Sequence, residues 1–217
     1  MKPRDVIGAG PLRDRIVYGA VWLALAAPLP FFLWRGLYGS MRVRDALVRD
    51  EGLWAIRILI AGFALSPLAR ILRLPVLHRY KRTVGLFGFT YAAVHGIFYL
   101  LYGRVWQFPL RIWQTRLYIP LGIAALALLL PLAVTSTDGM MRKMGARSWR
   151  SLHRTVYPVM LMIGVHALWQ NNIDYTQPRI YLGIIGLLLA VRLPPVMNLL
   201  LKLGRERRAR RPAATVS

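Results

Sequence analysis

Six apolar stretches dominate the sequence and limit the folds that it can adopt. Crossing a bilayer takes about 20 mostly apolar residues, because a hydrocarbon core of about 30 Å is covered at about 1.5 Å per residue. The stretches that meet this requirement are 16–34, 53–69, 84–102, 117–134, 152–169 and 180–201. Hydrophobic residues make up 56% of the chain and charged residues only 18%, a balance that soluble domains rarely show. The sequence therefore predicts an all-α integral membrane protein, a bundle of six transmembrane helices.

These spans leave little of the chain for anything else. Residues 1–204 are predicted to form one six-helix transmembrane domain, whose longest connection is the 18-residue loop 35–52. The sequence has no strand–turn–helix segment with a glycine-rich turn, so it does not predict a dinucleotide-binding unit. Residues 205–217 are predicted to be a basic, disordered cytoplasmic tail. If the protein carries electrons, another molecule must deliver them.

The positive charge of the chain is explained by membrane topology. The chain has 30 Lys and Arg against 8 Asp and Glu, a net charge of +22. Counted loop by loop, twenty of the basic residues fall on the side of the two termini and eight on the other side. Cytoplasmic loops retain Lys and Arg in excess, so both termini are predicted to be cytoplasmic. The surplus charge then faces anionic lipid, and nucleic acid is not an expected partner.

The first span has an alternative interpretation as a cleaved signal peptide, because basic residues precede an apolar run that reaches Ala26. The run continues to Trp34, which is longer than the typical apolar region of roughly 7 to 15 residues. A retained helix is therefore the prediction.

Prolines also fall within the predicted helices, where they are tolerated if neighbouring groups satisfy the freed carbonyls. They are Pro67, Pro120, Pro131 and Pro158.

Three histidines lie within predicted spans, where ionisable side chains are costly and usually functional. His95 is near the middle of the third span, whereas His153 and His166 lie on the fifth, about 20 Å apart along a straight helix. That separation excludes a shared zinc ion, whose ligands all lie about 2.0 to 2.2 Å from the metal. Histidines at different depths suit haem better. The chain has no cysteine, so such a haem could not be covalently attached through thioethers.

Depth in the bilayer indicates which histidines act together. The third and fifth spans run in the same direction, and His95 and His166 both lie outward of the centre, so they could hold one iron between them. His153 lies too far inward to join this pair, and its partner is left open. His78 is a possible partner, but it lies in a basic surface loop and is more simply explained as solvated.

Two further features concern the surroundings of these histidines. Gly85, Gly88, Ala92 and Gly96 share one face of the third span, with His95 at its margin. Such a smooth face would admit a flat macrocycle, or would pack against another helix without any cofactor.

Arginines near the ends of the spans are candidate partners for haem propionates, although each could equally reach lipid phosphate. They are Arg57, Arg82, Arg150 and Arg154.

Several short segments, in this order and at these spacings, resemble the ferric-reductase-like transmembrane domain family, and within it the short haem-binding subunits of bacterial methionine sulfoxide reductase systems. The resemblance covers nearly the whole chain. Its segments are 66–70 (SPLAR), 81–86 (KRTVGL), 91–95 (YAAVH), 135–137 (TST), 149–157 (WRSLHRTVY) and 166–169 (HALW). By position, the resemblance implies that His95, His153 and His166 are haem ligands, with one or two b-type haems bound.

The same resemblance implies an electron-transfer function in the bacterial inner membrane. Electrons would pass from the quinone pool, or from a cytosolic flavin reductase, to a periplasmic molybdopterin enzyme that repairs methionine sulfoxide. The family is also described as binding FMN, for which this sequence has no motif.

Two other functions remain open at the level of the sequence. The protein could be a stand-alone haem-dependent reductase of metals or quinones, which would act without a partner. It could also be a haem-free transporter or assembly factor whose histidines conduct protons or fill polar pockets.

Overall fold

The computed structural model describes residues 12–102, 116–170 and 176–209, and this part of the chain is helical and contains no strand. The described residues form a series of helices. They are α1 (Leu12–Ala26), α2 (Pro28–Tyr38), α3 (Met41–Ile71), α4 (Leu77–Tyr102), α5 (Tyr118–Val134), α6 (Asp138–Met144), α7 (Ala146–His153), α8 (Val156–Gln170), α9 (Thr176–Arg192) and α10 (Pro194–Ala209).

The helices confirm the membrane character that the sequence predicts. The described residues contain fewer candidate spans than the six that the sequence predicts. Within the described residues, three helices are long and apolar enough to cross a bilayer: Leu12–Tyr38, which combines α1 and α2, Ala46–Ile71 and Leu77–Tyr102. Two bent pairs raise the number to five if each pair is one span. The predicted fifth span, 152–169, corresponds to α8, which has 15 residues. The prediction of six spans, with both termini cytoplasmic, stays a prediction.

The predicted sixth span, 180–201, is broken in the structure. α9 ends at Arg192, and the chain turns by 82° into the segment Pro194–Gly204. Two consecutive prolines begin the new helix, and a proline cannot continue the backbone hydrogen bonding of the helix before it. The predicted tail also begins in a helix, because α10 continues to Ala209. Residues 210–217 lie outside the described part of the chain.

The predicted loop 35–52 is wrong, and this correction matters for the site. α2 continues to Tyr38, and after Gly39 and Ser40 the helix α3 runs without a break for 31 residues. The segment is polar, but it contains good helix formers such as Ala, Leu, Arg and Glu. Its residues Leu47 and Glu51, one turn apart, are fully buried. The polar residues of this segment therefore belong to the end of a membrane-spanning helix and not to a loop.

Two apolar clusters form the core, with α3 common to both. The first lies between α2, α3 and α4 and is formed by Phe32, Leu47, Ala55, Ile58, Val84, Tyr91 and Phe98. The second joins α3 to α5, α8 and α9 and is formed by Leu59, Phe63, Ala125, Leu129, Val159, Met160 and Ile185. The most extensive helix pair is α3 with α4. The histidine-lined cavity described below lies between these elements.

Side-chain contacts define the two ends of the bundle. At one end, α2 meets α3, and the first turns of α5 and α9 lie nearby; we call it the α2–α3 end. At the opposite end, α3 meets α4. There Arg79 of α4 pairs with Asp14 at an N–O distance of 2.9 Å, and Arg82 pairs with Asp138 at 2.8 Å. We call it the α3–α4 end.

Pro67 within α3 shows how the bundle accommodates a proline. A proline has no N–H, so the carbonyl four residues earlier, that of Phe63, loses its helical donor. Arg192 of α9 supplies the missing donor, since its Nη2 donates to the Phe63 oxygen and its Nη1 donates to Leu188 O at 3.1 Å. Its guanidinium carbon also lies 3.6 Å from the centre of the Phe63 ring. This matches the expectation that neighbours satisfy carbonyls freed by proline.

Candidate functional site

A cavity of about 610 Å³ lies between α3, α4, α5, α8 and α9. Its volume is within the range of about 300 to 1,000 Å³ that is typical of cofactor sites. Most of its wall is aliphatic, contributed by residues such as Leu59, Ala125 and Leu129. Two histidines, His95 and His166, stand in this wall, and the arrangement is that of an apolar site with a few polar groups.

His95 is held by the close packing of α3 against α4. Its Nδ1 donates a hydrogen bond to the backbone oxygen of Val48 at 2.7 Å. Gly52 permits this approach, because a Cβ at that position would lie 3.1 Å from the His95 Cε1. The Val48 carbonyl can only accept, so this contact requires the proton of the neutral ring to be on Nδ1. The lone pair is then on Nε2 and is available to a metal.

His166 is held in the same way on the other side of the cavity. Its Nδ1 donates to the backbone oxygen of Tyr118 at 2.7 Å, at the beginning of α5. Gly122, one turn further along α5, lies directly against the ring, because a Cβ there would be 2.6 Å from the His166 Cε1. By the same argument the proton of the neutral ring is on Nδ1, which donates to the Tyr118 carbonyl, and Nε2 keeps its lone pair.

The two rings have the separation that one shared metal ion requires. Their centres are 6.4 Å apart and their planes cross at 80°. Imidazole nitrogens bond a metal at about 2.0 to 2.1 Å, which puts the centres of two rings on opposite sides of one ion about 6 Å apart. Among the described residues, no group of three or more His, Cys, Asp or Glu could hold a metal ion. Two imidazoles in a large apolar cavity would suit a metal whose other ligands come with it, as those of haem iron do.

His153 lies away from this cavity, at the α3–α4 end. Its ring stacks on Trp149, with centres 3.9 Å apart, and its Nε2 is 3.2 Å from the Thr135 hydroxyl. That hydroxyl already donates to Pro131 O at 2.6 Å, so the histidine must be the donor to it. His153 therefore has the opposite tautomer from His95 and His166, with Nδ1 as the free nitrogen.

The four arginines that the sequence suggested do not line the cavity. Arg57 lies beside it and donates through Nε to the hydroxyl of Tyr181, which does line it, at 2.8 Å. Arg82 is paired with Asp138, while Arg150 and Arg154 are exposed at the α3–α4 end.

Arg49 and Asp50 are among the residues that line the cavity, and they form an ion pair in which Arg49 Nε lies 3.9 Å from Asp50 Oδ1. Neither residue is among the candidates that the sequence suggests, because the polar stretch 35–52 predicts a loop. The helical spacing of the apolar residues Leu47, Trp54 and Ala55 could have shown that this segment belongs to α3.

The face of small residues on α4 serves both of the purposes that the sequence left open. Ala92 and Gly96 line the cavity, where they leave room beside His95. Gly88 instead packs against α3, because a Cβ there would lie 2.7 Å from the Leu59 Cδ2. A Cβ on Gly85 would meet nothing within 4 Å.

The helical membrane fold and the paired histidines indicate a class of protein. Comparison with known families identifies that class. Residues 51–164 match the family model described as "Ferric reductase like transmembrane component". This match covers more than half of the chain, and the chain belongs to that family. The resemblance found from the short sequence segments is thereby confirmed.

The relatives within the family have a common name. Proteins named "Protein-methionine-sulfoxide reductase heme-binding subunit MsrQ" are similar to this chain over most of its length. The protein from Caulobacter vibrioides is 40% identical, with 83% of this chain and 88% of the relative covered. The protein from Rhodospirillum rubrum is 39% identical, with 86% and 91% covered, and that from Xanthomonas campestris pv. campestris is 38% identical, with 80% and 84% covered.

Proposed function

We propose that this protein is a membrane b-type cytochrome that holds haem between His95 and His166 and passes electrons to a partner enzyme. The observation that carries the proposal is the pair of imidazoles in one cavity, 6.4 Å apart, each with Nδ1 bound to a backbone carbonyl. Membership of the ferric-reductase-like family and similarity to proteins named as haem-binding subunits support it.

The chain's own residues would position the cofactor and set its potential. Haem supplies reversible one-electron chemistry, and the protein adjusts it through ligands, hydrogen bonds and burial. The Val48 and Tyr118 carbonyls hold the two imidazoles in position and increase their basicity as ligands. The aliphatic walls exclude water, and Arg49 supplies a positive charge at the cavity wall.

The partner that we propose is a periplasmic MsrP-type molybdopterin reductase, which would use the electrons to repair methionine sulfoxide in periplasmic proteins. The printed names of the relatives, which are subunits of a protein-methionine-sulfoxide reductase, support this partner. The charge distribution of the loops supports a periplasmic position for the α2–α3 end, where the cavity lies, in a bacterial inner membrane. The electrons would come from a quinol or from a cytosolic flavin reductase.

His153 is proposed as a ligand of a second haem at the α3–α4 end, with Arg82, Arg150 and Arg154 as propionate partners at that end. Its Nδ1 is the available nitrogen as long as Nε2 donates to Thr135. One or two haems are therefore proposed. Binding of FMN is proposed from the family resemblance alone, and no residues are assigned to it.

A dithionite-reduced minus air-oxidised absorption spectrum of the purified protein tests the proposal, with pyridine extraction to type and count the haem. We expect a b-type spectrum, most of which is lost in His95→Ala and in His166→Ala because these variants lose the haem of the cavity. His78→Ala is the matched control, because this histidine is exposed and lies outside the cavity. His153→Ala should keep the haem of the cavity and lose the second haem, where there is one.

Other outcomes would favour the other functions. A folded, colourless protein from haem-replete cells would favour a transporter or assembly factor. Full haem retention in both cavity variants would reject the ligand assignment. Reduction of metal ions by the isolated, haem-loaded chain with a quinol donor and no partner would favour a stand-alone reductase.

A further inference from the structure

The helix α10 runs nearly at a right angle to α9, the helix before it. α9 begins at the α2–α3 end, where Gln177 and Tyr181 line the cavity, and it ends at Arg192, which reaches the Phe63 carbonyl of α3. Its 17 residues rise about 25 Å at about 1.5 Å each, which is most of a hydrocarbon core of about 30 Å. The chain then turns by 82° into α10. A helix that turns at this depth runs along the membrane surface.

A second helix makes the same kind of turn at this end of the bundle. α5 ends at Val134, and the chain bends by 91° into α6. α6 contains Asp138, which pairs with Arg82 at the α3–α4 end. Two helices of the bundle are therefore each followed by a perpendicular helix, as expected at the boundary between hydrocarbon and water.

The surface of α10 is divided into three sides. Met197 is only 5% exposed, and α10 packs against α9 and α3. Leu199 and Leu203, one turn apart, are 56% and 46% exposed, so the described residues leave this apolar side largely uncovered. Asn198 and Lys202, also one turn apart, are exposed on a polar side. At about 100° per residue, Asn198 and Leu203 point about 140° apart. Separate apolar and polar sides are typical of helices that lie in the membrane interface.

The charge of this segment favours one kind of membrane surface. Residues 194–211 include six basic residues and one acidic residue. Each Lys or Arg near an anionic membrane surface strengthens binding about fivefold. In the predicted topology this end is cytoplasmic, which is the side where the surface potential of the membrane is negative. An acidic protein fits less well, because the exposed leucines come directly after a membrane-spanning helix and lie at the depth of the lipid.

The geometry points to α10 as an interfacial helix that lies in the plane of the membrane and binds anionic phospholipid. Leu199 and Leu203 enter the boundary of the acyl chains, and Lys202, with the arginines that follow it, binds the phosphates of the head groups. The inference goes beyond the proposed electron transfer and does not depend on it, because it involves no group of the histidine cavity.

Fluorescent labels on single cysteines test the position of α10. The chain has no cysteine, so each introduced cysteine carries a unique label. In vesicles of phosphatidylcholine and phosphatidylglycerol, we expect labels at Leu199→Cys and Leu203→Cys to be quenched by nitroxides on the acyl chains and protected from iodide. A label at Asn198→Cys, the matched exposed polar position, should be quenched by iodide. The two leucine labels should have the same depth, because a helix in the membrane plane keeps one side at one level.

Two other results would overturn this position. Depths of the two leucine labels that differ by about 6 Å, the rise of four helical residues, would mean that α10 crosses the membrane as the end of a sixth span. Access of iodide to all three labels would mean that α10 lies off the membrane and leaves its apolar side to another protein.

Native mass spectrometry of the detergent-purified protein, with phosphatidylglycerol or phosphatidylcholine added, tests the choice of lipid. Binding of phosphatidylglycerol should weaken about 25-fold when Lys202→Gln is combined with Arg205→Gln, because two basic residues of α10 are lost. The matched control combines Arg142→Gln with Lys143→Gln, since it removes two exposed basic residues of α6 at the same end. The control should keep most of the binding.

Three results would contradict the assignment of anionic phospholipid to α10. They are unchanged binding in the α10 variant, an equal loss in the control, and equal binding of the two lipids by the wild type. The haem spectrum should be that of the wild type in every variant, because none of the changes touches His95 or His166. An absence of haem from the wild type would reject the proposed function and would leave this inference unaffected.

Discussion

Gly122 lies directly beneath the imidazole of His166, so close that a Cβ at this glycine would be 2.6 Å from the His166 Cε1. Even a methyl group would therefore push the ring away from Tyr118 O and out of line with His95. We expect Gly122→Ala to lower the haem content of the purified protein, with a destabilisation of about 1 to 3 kcal/mol typical of overpacking. The ratio of haem to protein measures this effect.

Gly183→Ala is the control for this change, because a Cβ there would meet nothing within 4 Å. It should keep the wild-type haem content. Equal haem content in Gly122→Ala and Gly183→Ala would show that the site tolerates displacement of the ring.

Arg192 and Pro67 are predicted to be coupled through the Phe63 carbonyl. Arg192→Met removes the donor to that carbonyl, so it should destabilise the protein by about 1 to 3 kcal/mol, the cost of a buried unsatisfied group. Pro67→Ala restores a backbone N–H that can donate to the same oxygen. In the Pro67→Ala background, Arg192→Met should therefore cost less. A double-mutant cycle of unfolding free energies in detergent measures the coupling, and additive effects would contradict it.

Glu51 is fully buried, and both of its carboxyl oxygens have no hydrogen-bond partner. Burying a polar group without a partner costs free energy, so this residue reduces stability. We expect Glu51→Leu to raise the melting temperature in detergent, with Glu51→Gln as the control that keeps the size and a polar group. A lower melting temperature in Glu51→Leu than in Glu51→Gln would mean that the carboxyl has a stabilising contact in the membrane protein.

Arg49 lines the histidine cavity and is ion-paired with Asp50 at 3.9 Å, so Arg49→Gln removes the positive charge of this pair and leaves the negative one. A nearby positive charge favours the reduced form of a bound haem, which carries one more electron. Arg49→Gln should therefore lower the midpoint potential of the haem held by His95 and His166, as measured by spectroscopic redox titration. Arg147→Gln, at an exposed arginine of α7 that is assigned no role in haem binding, should leave that potential unchanged. An equal shift in both variants would mean that Arg49 has no specific effect on this haem.

Hydropathy predicted the helical membrane character of the chain because lipid solvation acts on each segment separately. It failed where segments interact with one another or with the membrane boundary. The polar residues 41–52 were assigned to a loop, whereas they form the first turns of α3 and bury Leu47 and Glu51 against α4. The last span was predicted to run through Pro194, where the helix in fact turns by 82°.

The sequence by itself determined the family, through short motifs at fixed spacings, and it placed His95 and His166 within apolar helices; His153, predicted to lie in the fifth span, instead ends α7, before the apolar helix α8 begins. Only the tertiary structure decided which groups meet. The sequence predicts that His95 and His166 act together, and the tertiary structure brought them to one cavity, gave each ring a backbone carbonyl for Nδ1, and added Arg49 to the lining, which none of the four suggested arginines joins. The physical reason is that position along a helix follows from the chain alone, whereas the rotation and approach of neighbouring helices depend on side-chain packing, such as that at Gly52 and Gly122.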